Sequence, residues 1–109
     1  MRSFSDGGQT RRGFAPLASD YIDCRVLAAT TAERHTIPSG ARYVIFAADG
    51  TFYARFGDSS VTAAIPAADV TDGTGSMINP EAREIPSAVT HISLIASAAT
   101  VVTLAFFAE

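Results

Sequence analysis

Residues 41–57, ARYVIFAADGTFYARFG, constrain the fold of this chain more than any other stretch. Two β-rich runs flank Asp49-Gly50, and such a dipeptide suits a two-residue type I′ loop because both central residues must accept positive φ. Paired across that loop, Tyr43 opposes Phe56, Ile45 opposes Ala54 and Ala47 opposes Phe52 on one side. The other side carries Val44, Phe46 and Tyr53, with Arg42 and Arg55 at its ends. A hairpin that is apolar on both faces has more to cover than one small core. Val44, Phe46, Tyr53 and Arg55 are therefore expected at a protein contact.

Strand patterns at short spacing flank this stretch, which points to an all-β, jelly-roll-like antiparallel sandwich or barrel. In residues 21–30, Ile22, Cys24, Val26 and Ala28 share one face, and Tyr21, Asp23 and Arg25 share the other. That alternation predicts a buried thiol at Cys24. Residues 33–37 and 61–65 read as short strands. Residues 66–86, with three Pro and two Gly, read as turns with one short strand, either a functional loop or a crossover between Greek keys. A second hairpin is expected over residues 89–107. A three-residue loop at 98–100 would set Leu94 opposite Leu104, Ala96 opposite Val102 and Ile92 opposite Phe106. Ile-Pro-Ser introduces both hairpins, at residues 37–39 and 85–87, an echo that fits a doubled β unit.

The first 18 residues are of different material. Gly7, Gly8, Gly13 and Pro16 mix with Ser, Gln, Thr and Arg, and only Phe4, Phe14 and Leu17 are large and apolar. They read as an extended arm ahead of one β domain spanning residues 19–109. Phe14 and Leu17 would be its apolar anchors on a partner, and Arg11 and Arg12 its polar contacts.

Chemistry is sparse. The 109 residues carry a formal charge of −3, and all eight basic residues are Arg, dispersed among acids, so no basic stripe for nucleic acid forms. No run has the length of a membrane span or the apolar core of a signal peptide, so the chain is expected to work without membrane or secretion. Cys24 is the only cysteine, which excludes an intrachain disulfide and a thiolate zinc site. No nucleophile-elbow or phosphate-loop pattern occurs, and His35 and His91 stand apart without metal-ligand spacing. His91 is expected exposed or hydrogen-bonded. The Asp69–Ser76 stretch has the wrong spacing for an EF-hand and reads as Asp-Gly turns. No cofactor, metal or catalytic set is expected.

From Glu33 to the C-terminus the chain resembles small structural proteins of tailed bacteriophages and prophages. The resemblance is carried by ERHTIPSGARYVIFAADGTFYARFG, PAADVTDGTGSMINPEAREIP and VTHISLIASAATVVTLAFF. It implies a non-enzymatic virion component on the capsid exterior, a decoration or cement protein. Such a protein binds the major capsid protein and self-associates, as a homotrimer in this reading. A tail, neck or head-fibre component is the alternative, and a carbohydrate-binding jelly roll the second alternative.

Overall fold

Runs of β-branched and aromatic residues, punctuated by Pro, Gly, Asn and Asp, form eight strands among the described residues of the computed structural model, which describes residues 18–108. They are β1 (Ile22–Leu27), β2 (Glu33–Thr36), β3 (Tyr43–Ala48), β4 (Tyr53–Gly57), β5 (Met77–Ile78), β6 (Ala82–Glu84), β7 (His91–Ile95) and β8 (Thr100–Phe107). The strands build two four-stranded antiparallel sheets, and no helix occurs among the described residues. Sheet I has the order β1-β8-β3-β6 and sheet II the order β2-β7-β4-β5. The protein is a β-sandwich. Its pairings β1–β8, β2–β7, β3–β6 and β4–β5 are those of one long hairpin rolled over on itself, a jelly-roll-like winding.

Neither expected hairpin forms. β3 lies in sheet I and β4 in sheet II, so Asp49-Gly50 turns a corner between sheets. Neither residue has positive φ, which a type I′ turn would require. Asp49 bonds across to β8 instead. Its N–H donates to the Val101 carbonyl at 3.2 Å, and its Oδ1 accepts from Val101 N at 3.0 Å. β7 and β8 likewise occupy different sheets: Leu94 pairs with Glu33 and Ala54, and Leu104 with Asp23 and Phe46. The grouping of side chains survives this change of partner. Ile92, Leu94, Ala96, Val102, Leu104 and Phe106 all lie in one buried cluster, but they meet across the sandwich and not along a ladder.

Val44, Phe46, Phe52, Ala54, Leu27, Ile37 and Ile85 complete that core. Within it the ring centroid of Phe46 lies 5.8 Å from that of Phe52 and 6.2 Å from that of Phe56, the second pair edge to face. The two Ile-Pro-Ser segments do the same job twice. Ala41 N–H donates to the Pro38 carbonyl and Val89 N–H to the Pro86 carbonyl, so each segment opens a turn of the same span. The first carries the chain from sheet II to sheet I and the second carries it back. Advancing every strand number by four converts the order of sheet I into that of sheet II read backwards. The sequence echo thus marks an internal two-fold relation of the topology.

Residues 58–76 form no strand, contrary to the expectation over 61–65, and β5 and β6 make two short strands where one was expected. The segment serves as a strap across the outside of sheet II. Its own Val61 and Ala63 are buried against that sheet. Ala63 N–H donates to Ser93 Oγ at 2.8 Å, and Arg34 Nη1 donates to the Val61 carbonyl at 3.0 Å. This explains how Ser93, on the outer side of sheet II, comes to be fully buried with its hydroxyl satisfied.

Candidate interaction surface

The two edge strands β1 and β2 decide which side of sheet I faces outward. Register places Asp23 opposite Leu104 and Arg25 opposite Val102, so the charged residues of β1 share the inner side of the sheet with core residues. Glu33 and His35 of β2 are inward for the same reason, opposite Leu94 and Ile92. The four form a polar seam along the open edge of the sandwich. Arg25 Nη2 lies 3.7 Å from Asp23 Oδ2, and His35 Nε2 lies 3.2 Å from Glu33 Oε1. The His35–Glu33 approach is close enough for an ion pair but lacks the alignment of a hydrogen bond, so the ring nitrogen has no bonded partner. Burial, reinforced by the Arg25 guanidinium, lowers the His35 pKa below its ordinary value, against the opposing pull of Glu33 and Asp23. Inward charges on edge strands also discourage another strand from adding there.

The apolar half of β1 therefore points to solvent. Ile22 is 53% exposed and Val26 69% exposed, and Val101 beside Val26 on β8 is 39% exposed. Cys24 is exposed, not buried as its alternation predicted; its Sγ lies 3.8 Å from Thr103 Oγ1. The register continues the same outer side through Thr103 and Ala105 to Ile45 and Ala47 of β3, and Ala82 of β6. Every one of these side chains is uncharged. Charge enters this side at two places, Asp49 beside Val101 at the end of β3 and Glu84 at the far edge on β6. On the same side Phe107, opposite Tyr43, is buried, so the large apolar side chains left exposed are Ile22, Val26 and Val101 on β1 and β8, whereas sheet II is strapped.

The expected contact residues separate into three groups. Val44 and Phe46 are 0% and 6% exposed and belong to the core, so their assignment to a contact surface is corrected. The corner at Asp49-Gly50 turns β3 so that Val44 and Phe46 face inward, and Tyr43, Ile45 and Ala47 outward. Tyr53 and Arg55 are half-buried on the outer side of sheet II. Arg55 lines a groove of about 510 Å³ with Thr62, Pro66, Asp69, Val70 and Ser76 of the strap. Arg11, Arg12, Phe14 and Leu17 lie outside the described residues. The sequence missed Ile22, Cys24, Val26 and Val101 as surface residues. The available signal was the matching charges of Asp23 and Arg25 with Glu33 and His35, which let two neighbouring edges turn their polar sides toward each other.

Other polar sites are structural. His91 bonds to Thr90 Oγ1 through Nδ1 at 2.8 Å, with Thr36 Oγ1 3.4 Å from Nε2, in keeping with a hydrogen-bonded histidine. Asp72 accepts from both the backbone N–H and the hydroxyl of Thr74, and Asp58 does the same with Ser60. These bonds, the hydroxyl contact foremost, lower both carboxyl pKa values and define Asx-type turns in the strap. Among the described residues no three His, Cys, Asp or Glu side chains come together as a metal cluster. No family model, curated protein or solved structure matches the chain.

Proposed function

We propose that this chain is a non-enzymatic structural protein of a bacteriophage virion, a decoration protein that binds the capsid exterior as an oligomer. The observation that carries the reading is the cluster of exposed apolar side chains on the outer side of sheet I. A monomer working alone gains nothing from exposing Ile22, Val26 and Val101 together, whereas a protein that spends its life bound to others must present such a surface. The resemblance of residues 33–109 to phage structural proteins supplies the class of partner, the major capsid protein, and three copies per assembly. The arm, residues 1–18, with Arg11, Arg12, Phe14 and Leu17, is the fastening in this reading.

The test is co-sedimentation of the purified protein with capsid shells that lack it. Saturable binding at a stoichiometry fixed by the lattice is the expected result, and deletion of residues 1–18 should lower occupancy while the β-sheet circular dichroism signal persists. Absence of the protein from the shell, with electron microscopy placing it on the tail or neck, would overturn the assignment.

A further inference from the structure

We infer that the groove between β4 and the strap is a binding site for a small zwitterion, a molecule with one carboxylate, one ammonium group and a compact apolar body. The site lies on sheet II and is independent of the decoration reading, which rests on sheet I.

The groove encloses about 510 Å³, within the ~300–1,000 Å³ of small-molecule sites. Arg55 lines it from the sheet and Asp69 from the strap. Arg55 is half-buried, yet among the described residues its guanidinium meets no carboxylate at ion-pair distance and no hydrogen-bond acceptor. Arg34, in the same row across Ser93, is different: its Nη1 donates to the Val61 carbonyl at 3.0 Å. The Arg55 fork is not sealed away either, because His35 Nε2 is the one buried side-chain polar atom without a bond among the described residues. Its donors therefore open onto the groove. Asp72 does not neutralise it: the Thr74 hydroxyl is the main cause of that carboxyl's lowered pKa, and Arg55 is the least.

The lining selects the ligand. A planar fork with free donors suits a carboxylate, which it can hold through two parallel bonds. Asp69 in the same groove repels a simple anion, as Arg55 repels a simple cation. A ligand bearing both charges is attracted by each and rejected by neither. Pro66 and Val70 add an apolar wall, with Val70 48% exposed and open to a ligand's hydrocarbon body. Ser76 Oγ accepts from Ala64 N–H at 3.1 Å, which leaves its proton for a ligand oxygen. The same bond ties two lining segments of the strap together, so the groove is formed before anything enters it.

The experiment is a titration of the full chain with L-leucine, followed by two-dimensional amide NMR. The expected result is saturable shifts at Thr62, Val70 and Ser76, with a dissociation constant of about 1 mM or below. 4-Methylpentanoate lacks the amine and 3-methylbutylamine lacks the carboxylate; each should bind at least tenfold more weakly. Arg55→Lys keeps the charge but loses the fork, and Asp69→Asn removes the second charge from an exposed strap position. Each should weaken leucine binding at least tenfold while the spectrum stays dispersed, and if Arg55→Lys disturbs the fold, Asp69→Asn alone decides.

Absence of saturable shifts at these residues would overturn the inference. So would equal binding of either single-charge analogue, or unchanged affinity in Asp69→Asn.

Discussion

His35 shows how one residue ties stability to pH. Burial is the largest cause of its lowered pKa, so the fold favours the neutral ring and the unfolded chain binds the extra proton more readily. Stability from this group is therefore complete above the unfolded value of ~6.5 and is lost as pH falls through it toward the lower folded value. Asp58 and Asp72, whose pKa values are lowered, contribute loss only below about pH 4. The urea midpoint should fall between pH 7.5 and pH 5, and His35→Gln should flatten that fall. A slope unchanged in His35→Gln would show that another group governs it. The same seam explains a misreading of β1. Apolarity ranks Ile22, Cys24 and Val26 above Asp23 and Arg25 for the interior, but the opposite order holds because Glu33 and His35 supply inward partners from the next edge.

At the scale of elements, the strap depends on close approach to the end of β4. A Cβ added at Gly57 would meet Val61 Cβ at 2.8 Å and Cγ2 at 2.9 Å, and the Gly57 carbonyl accepts from Thr90 N–H at 3.0 Å, so the backbone cannot easily retreat. Gly57→Ala should destabilise the protein by about 1–3 kcal/mol, read as a lower urea midpoint at unchanged m-value. Strand positions were largely legible in the sequence, since β1, β2, β3, β4, β7 and β8 all follow period-two runs bounded by turn residues. Sheet membership was not. Period two states which side chains share a side of a strand; it does not state which strand lies beside it. Asp49-Gly50 has the composition of a hairpin loop, yet rolling lets Phe46, Phe52 and Leu104 meet in one core, and that burial outweighs a local turn preference. The Ile-Pro-Ser echo was the better guide, because it reports two equivalent passages between sheets.

For the whole molecule, the rolled topology predicts an order of opening. β8 and β7 are bonded on both sides, to β1 and β3 and to β2 and β4, and they supply much of the core. Amide exchange should be slowest at Val102, Leu104 and Phe106 of β8 and at Ile92 and Leu94 of β7, and fastest over residues 66–76, which join no ladder. Comparable protection in the strap and in β8 would contradict this arrangement.

The strap has a further consequence for growth. A protein adhesive on opposite sides stacks without end, because each addition presents a fresh site and the product is a filament. Here residues 58–76 have already spent one side of the sandwich within the chain. In the oligomer proposed above, sheet II therefore offers no second adhesive side through which assembly could continue. Removing the strap would cost more than the contacts of Val61 and Ala63: it would give the sandwich a second open side.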